Sequence, residues 1–289
     1  MYWLILLQQF FASTTHIATR SLALQCDPML IVLLRAVVAT AVFIVALLVL
    51  RKPMPPLDRK DIPLILLLGL VNIPGSQVLF VWGLKYTIPP NAALAYAMTP
   101  AFVLVICAVL FGDKATWRKW LGVGIAFSGV VLAVLERGVT LEAQYLQGNI
   151  LEVGAAFAWS LYTVLGRTVA VKYGTLLGTT IGMVSGLLWY VPAYVVWRGP
   201  QTIIEQMSHL SPFLWLQVAY LAIFATCASF FLWFYAMSKI EPGKVAVFMN
   251  LQPIITTVLT VMIWNALPTV WFFVGAVLVV VGVVLTQRT

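Results

Sequence analysis

Along the chain, apolar runs of about twenty residues alternate with short clusters of charge, proline and glycine. A helix needs roughly 20 apolar residues to cross a hydrocarbon core about 30 Å thick. The alternation predicts ten such helices: Tyr2–Ala23, Pro28–Leu50, Ile62–Leu84, Pro90–Phe111, Trp117–Leu135, Asn149–Val171, Thr175–Val196, Pro212–Met237, Lys244–Trp264 and Pro268–Leu285. From Val245 to Gln287 no charged residue occurs, which is long enough for two crossings. Every connection is short, so no soluble domain fits between the runs. The expected fold class is an all-α integral membrane protein.

The pattern also repeats. Shifted by 153 positions (229 − 76), the third to fifth segments fall on the eighth to tenth without a gap. Ser76 then meets Ser229, Pro89 meets Pro242, Pro100 meets Pro253, Gly122 meets Gly275, and Gly129–Leu132 meets Gly282–Leu285. Shifted by 147 (167 − 20), Phe10, Ser13 and Arg20 of the first segment fall on Phe157, Ser160 and Arg167. Chance apolar matching does not readily align prolines, glycines and a four-residue run in one register. The halves are expected to span residues 1–138 and 148–289, five helices each. An odd number of helices per half inserts the two halves in opposite senses, an inverted-topology repeat used by many secondary transporters.

Composition narrows the class further. The 289 residues are 62% hydrophobic and 9% charged, against about 25% charged in soluble domains. A net charge of +8 invites a nucleic-acid partner, but the basic residues lie in short connections and share no single face. Counted on alternate sides, twelve Lys and Arg fall on one surface against four (Arg20, Lys85, Arg137 and Arg198) on the other. The positive-inside rule then expects both termini in the cytoplasm, in a multi-pass cell (inner) membrane protein. Met1–Leu4 lacks the basic start of a signal peptide, so the first segment reads as a retained helix. Cys26, Cys107 and Cys227 are widely spaced and suggest neither a disulfide framework nor a metal site. No cofactor, no metal and no nucleic-acid partner is expected. The expected partners are a small-molecule substrate and the lipid bilayer, with protons as a candidate coupling ion.

Several short motifs carry a resemblance. Gly83-Leu84-Lys85-Tyr86-Thr87, Asn91-Ala92-Ala93-Leu94-Ala95, Thr99-Pro100, Gly112-Asp113-Lys114 and Gly129-Val130-Val131 resemble the EamA-type drug/metabolite transporter superfamily. In order, and with the repeat, they cover nearly the whole chain. The resemblance implies a ten-helix exporter of amino acids or other metabolites. It also implies a central cavity between the halves, lined mainly by the first, third, fourth, sixth, eighth and ninth helices. The chain departs from the pattern at Asn265-Ala266, where the family often has glycine followed by an acid.

Candidate chemistry clusters at mid-depth. Pro100 and Pro253 each fall about ten residues, or roughly 15 Å, into their helices. A proline lacks its own N–H and frees the carbonyl four residues earlier, here those of Tyr96 and Met249. Two freed acceptors related by the repeat could mark a polar centre, or the prolines could be packing kinks. Tyr96, Thr99, Asn250 and Gln252 flank them, and Asn72, Ser76 and Gln77 lie beside a third kink at Pro74. Polar side chains at this depth are costly toward lipid and should face the interior, as a substrate site or as interhelical contacts. Gln9, Ser13, His16 and Arg20 share one face of the first helix, with Trp159, Ser160 and Tyr162 at the matching depth of the sixth. The substrate-binding candidates are Tyr96, Thr99, Asn250, Gln252, His16, Asn72, Gln77, Trp159 and Tyr162. Trp82, Trp233 and Tyr235 read as interface anchors, with a cavity role as the alternative. Arg20, Arg35 and Glu152 read as a structural ion pair, Glu152 with either arginine, or as a gate or proton site.

No enzyme signature is present: no His-Glu-x-x-His helix, no Gly-x-Ser-x-Gly elbow, no phosphate-cradling loop. With one embedded carboxylate no paired-acid site can form, so no catalytic residue is assigned. The leading reading is a secondary transporter, an exporter of amino acids or similar metabolites working by alternating access. The alternatives are a nucleotide-sugar or organic-phosphate exchanger, which would want more embedded cations, an intramembrane lipid-modifying enzyme, and a channel.

Overall fold

The computed structural model describes residues 1–51, 55–87, 89–135, 143–264 and 270–287. Among these residues every regular element is helical. Helices α1 (Tyr2–Ala23) and α2 (Pro28–Val49) open the chain. Helix α3 runs over Arg59–Tyr86. Helix α4 comprises Pro89–Tyr96 and Thr99–Phe111, separated by a turn at Ala97 and Met98. Then follow α5 (Trp117–Leu135), α6 (Ala143–Tyr173) and α7 (Thr175–Arg198). Helix α8 is Pro212–Lys239. Helix α9 joins Pro242–Ala246, the 3-10 turn Val247–Asn250 and Leu251–Trp264, and α10 is Val270–Gln287. The α6 helix begins at Ala143, earlier than the expected Asn149, and a short helix not expected from the sequence, Pro200–Ser208, links α7 to α8. The expected start at Pro268, the Asn265-Ala266 departure and Arg137 lie outside the described residues.

Local sequence explains the helix starts. The Asp27 carboxylate accepts the Met29 N–H at 2.9 Å, with Pro28 in the first turn, where a missing N–H costs nothing. Ser211 does the same for Leu214 N–H ahead of α8, again beside a proline. Within α3, residues Val71–Val78 are wound as a π-helix, and Leu221–Ala228 does so within α8. Such wide turns recur at functional sites because they re-aim side chains. In α3 this one buries Asn72, Ile73, Ser76 and Gln77 together.

Packing among the helices follows a pattern. Helix α3 packs on α6 and α7, and α8 packs on α1 and α2; α4 packs on α6, α9 on α1, α2 on α7, and α5 on α10. The α5–α10 seam is a glycine contact. A Cβ added at Gly122 would lie 2.9 Å from the Gly282 carbonyl oxygen, and one at Gly129 would lie 2.6 Å from that of Gly275. Only glycine permits that approach, as in other membrane helix pairs. The outer surface is apolar: Val109 and Val196 are 76% and 86% exposed. Among the described residues, five helical stretches are long and apolar enough to cross a membrane: Pro28–Val49, Arg59–Tyr86, Asn91–Phe111, Thr175–Arg198 and Pro212–Lys239.

Polar contacts tie helix ends together. Lys172 pairs with Asp61 at 2.6 Å, Arg198 pairs with Asp27, and Lys119 pairs with Glu241. The Thr87 hydroxyl and the Asn91 amide both donate to Asn149 Oδ1, at 2.6 and 3.0 Å.

Candidate functional site

Seven helices surround a cavity with about 70 Å³ of free space inside an envelope of about 540 Å³. That free space is smaller than the roughly 300–1,000 Å³ of common small-molecule sites, room for only a few waters with the walls as they stand. Helix α1 contributes Gln8, Ala12, Thr15 and His16, and α3 contributes Ser76, Gln77 and Phe80. Helix α8 contributes Ala225, Ser229, Phe230 and Trp233. Arg35 comes from α2, Tyr96 from α4, Trp159 from α6, and Met249 and Gln252 from α9. From Gln8 to His16 the cavity extends about 12 Å along α1, eight residues at about 1.5 Å each.

Gln252 organises one wall. Its amide donates to Gln9 Oε1 at 2.7 Å, its Oε1 lies 3.4 Å from His16 Nε2, and its backbone carbonyl accepts from Ser13 at 3.3 Å. Lower on α1, Gln8 donates to the Ser229 hydroxyl at 2.9 Å, joining α1 to α8. The opposing network starts at Arg35, whose Nη2 donates to Gln77 Oε1 at 3.0 Å. Gln77 donates to Asn72 Oδ1 at 3.1 Å, and Asn72 donates to the Met183 sulfur at 3.3 Å. Buried amides joined in this way fix one another's rotamers.

Two aromatic groups complete the walls. His16, Phe80 and Tyr96 meet edge-to-face, with centroids 5.3, 5.5 and 5.8 Å apart. Trp159 packs on Phe230 at 5.0 Å and Trp233 at 6.1 Å. The Trp233 N–H donates to the Thr163 hydroxyl at 3.1 Å, whereas the Trp159 N–H has no partner.

Of the nine candidates from the sequence, His16, Gln77, Tyr96, Trp159 and Gln252 line the cavity. Asn72 stands behind Gln77, and Tyr162 behind Trp159 at 5.7 Å. Thr99 and Asn250 are fully buried but do not line it, and their side-chain polar atoms have no partner. Trp233 is a cavity residue rather than an interface anchor, while Tyr235 stacks on Phe231 and Trp82 lies against Trp197. Gln8, Thr15 and Ser229 were not among the candidates. Their signal was available: Gln8, Ala12, Thr15 and His16 form an i, i+4, i+7, i+8 stripe one position from the expected one.

The kinks and the ionisable trio need correction. Breaks do precede both prolines, a turn at Ala97–Met98 before Pro100 and a 3-10 turn before Pro253. The Met249 carbonyl, however, accepts the Leu251 N–H, so it is not a free acceptor; Tyr96 and Met249 do both line the cavity. Pro74 lies inside the π-helical stretch of α3. No ion pair joins Glu152 to Arg20 or Arg35. Arg20 donates to the carbonyls of Leu84 and Lys85, capping the end of α3. Arg35 bonds Gln77, and both Glu152 oxygens lack a partner. The Glu152 side chain instead lies against Gly83, where an added Cβ would meet Oε1 at 2.7 Å. The reason is register: Arg20 is drawn to the terminal carbonyls of α3, which a cation satisfies well.

Comparison with known proteins is consistent with this architecture. Residues 1–135 and 146–288 match the EamA-like transporter family. YyaM, an uncharacterized transporter of Bacillus subtilis (strain 168), is 30% identical over 78% of this chain and 73% of its own. A protein of Streptantibioticus cattleyicolor named "Probable terminal-alkyne amino-acid exporter" is 25% identical over 79% of this chain and 74% of its own. An Escherichia coli (strain K12) protein named "Probable amino-acid metabolite efflux pump" is 24% identical over 78% of this chain and 77% of its own. A crystal structure of a protein 21% identical superposes with a TM-score of 0.74, over 99% of this chain and 96% of that one, a likeness of fold alone. With both stretches matched, the chain belongs to the EamA-like transporter family, and it is an integral membrane transporter of a small molecule rather than an enzyme.

Proposed function

We propose that this chain is a secondary transporter that exports amino acids or similar small metabolites across the cell (inner) membrane. It does so by alternating access around the cavity between two inverted five-helix halves. The observation that carries the reading is the cavity itself, lined chiefly by neutral polar and aromatic residues, with Arg35 beside them. The relatives named as an amino-acid exporter and an amino-acid metabolite efflux pump support the substrate class and the direction.

The inverted repeat draws support from contacts that exchange when the halves are swapped. Arg20 donates to the Leu84 carbonyl and Arg167 donates to that of Met237 at 2.8 Å; the same shifts of 147 and 153 relate the two donors and the two acceptors. The Gly122–Gly282 and Gly129–Gly275 approaches are each other's counterparts, as an isologous contact requires. Ten crossings also put each joined pair of helix ends on one surface: Lys172 with Asp61, Arg198 with Asp27, Lys119 with Glu241, and Thr87 with Asn149. Rocking of one half against the other would expose the cavity alternately. The basic asymmetry supports cytoplasmic termini.

Purified protein in liposomes, offered a panel of amino acids and phosphorylated metabolites with and without a pH gradient, tests the function. Uptake or counterflow of neutral amino acids is expected, and the gradient arm reports proton coupling. Movement of the phosphorylated compounds alone would overturn the substrate class, and movement of none would overturn the reading. Reporter fusions at Met1 and Thr289 test the topology, and opposite locations would end the ten-crossing arrangement.

A further inference from the structure

The cavity contains one charged group, Arg35, and that group is incompletely bonded. Arg35 is 4% exposed and lines the cavity from α2. Its Nη2 donates to Gln77 at 3.0 Å, but Nε and Nη1 have no partner. Those two nitrogens carry three N–H donors. Among the described residues no carboxylate lies within ion-pair distance of Arg35, and no Asp or Glu lines the cavity. A buried guanidinium is normally paired and its donors satisfied. An arginine left this way inside a cavity is completed by whatever enters.

The geometry points to Arg35 as the anchor for the carboxylate of the transported molecule. This rests on the transport reading above and names the substrate class of that same cavity. The carboxylate would sit at the His16 end: Gln77, which holds Arg35, is one turn from Phe80, and Phe80 packs on His16 at 5.3 Å. The remaining wall is chiefly Phe80, Tyr96, Trp159, Phe230, Trp233 and Met249, which suits an apolar or aromatic body. An ammonium group would find no acid but could use neutral acceptors, Gln8 Oε1 and His16 Nδ1, both buried and without partners. Arg35 with one carboxylate balances a single charge. A phosphate ester or nucleotide would bring further charge with no second cation in the lining. The class is therefore monocarboxylates with an apolar body, apolar α-amino acids among them.

Three probes separate the parts of such a molecule: phenylalanine, 3-phenylpropionate without the ammonium, and phenethylamine without the carboxylate. Inhibition of transport in liposomes and ligand-induced thermal shifts in detergent are read for each. The wild type is expected to take phenylalanine and 3-phenylpropionate with affinities within about ten-fold of each other, and phenethylamine about ten- to a hundred-fold more weakly, the scale of a lost charged hydrogen bond. Arg35→Lys, which keeps the charge, should retain the preference for carboxylates at about ten-fold lower affinity. Arg35→Gln should abolish the preference, so that phenylalanine and phenethylamine become similar. The ratio between probes is insensitive to a merely structural role, and the wild-type ratio stands even if Arg35→Gln does not fold. Equal handling of phenylalanine and phenethylamine by the wild type, or an unchanged ratio in folded Arg35→Gln, overturns the anchor and leaves transport standing. If no amino acid of any kind binds or moves, the transport reading falls and the anchor with it.

Discussion

The glycines of α5 offer a matched pair that isolates the seam between α5 and α10. At Gly129 an added Cβ would lie 2.6 Å from the Gly275 carbonyl oxygen, 2.8 Å from Leu278 Cβ and 2.8 Å from the Val279 nitrogen. Two of these atoms are backbone, so the clash is relieved only if α5 and α10 move apart. At Gly124, on the same helix, a Cβ would meet nothing within 4 Å. Alanine in place of glycine in a helix interior gains roughly 0.5–1 kcal/mol of propensity at either position. Overpacking a tight contact costs about 1–3 kcal/mol. Gly124→Ala is therefore expected to be neutral or slightly stabilising, while Gly129→Ala comes out roughly neutral to about 2 kcal/mol destabilised. The difference between the two variants cancels the propensity and reports the overpacking alone. In larger domains about 2–4 °C of melting temperature corresponds to each kcal/mol. Apparent melting temperatures in detergent should thus separate the variants by several degrees, Gly129→Ala below. Equal values, or Gly129→Ala above Gly124→Ala, would refute the close approach of α5 and α10.

Three further outcomes follow from the site and its supports. Gln252→Ala removes the group that holds Gln9 and His16, and should raise the apparent KM about ten-fold, whereas Asn250→Ala, outside the cavity, should leave KM unchanged; liposome kinetics on both decide whether Gln252 or the proline-flanking position matters. Arg167→Ala unbonds the Met237 carbonyl at the end of α8 and should cost roughly 1–2 kcal/mol with KM unchanged, read by melting temperature beside transport; a changed KM with unchanged stability would contradict a capping role. Glu152→Gln should barely alter the melting temperature because no ion pair is there to lose; a drop on the scale of a broken buried pair, about 3–5 kcal/mol, would mean that an arginine reaches it.

The boundaries of most helices were legible because apolar runs ended at proline-containing turns and charge clusters, and at α2 and α8 Asp27 and Ser211 of those turns cap the helix. Tyr2–Ala23 and Trp117–Leu135 match the expected bounds. The α6 start was missed because Ala143–Gly148 is mixed in polarity and hydropathy alone cannot extend a helix into it. Pro200–Ser208 was missed for the opposite reason: it is a polar surface helix with only Ile203 buried, too short to register against runs of about twenty. The π-helical stretches left no trace in periodicity, since a hydrogen-bond shift from i+4 to i+5 changes which side chains align without changing the composition.

The site was legible in depth but not in azimuth. Polar residues near the midplane of an apolar helix must face inward, which located Gln77, Tyr96, His16 and Gln252 at the right level. It could not say which inward face meets a cavity and which meets a neighbouring helix. On α1 the two faces differ by one residue, about 100° of rotation. Gln9 and Ser13 turn to Gln252, while Gln8 and Thr15 turn to the opening. His16 belongs to both, and so joins the wall that α1 and α9 share to the space that a substrate would occupy. Arg35 was expected in an ion pair with Glu152 or at a gate, not among the substrate-binding residues. An arginine side chain is long enough to carry its charge well away from its own Cα, and here it reaches inward to Gln77 rather than outward to water. Depth along a helix locates a Cα, and for the long cations the functional atoms are decided by which acceptor the fold puts within reach.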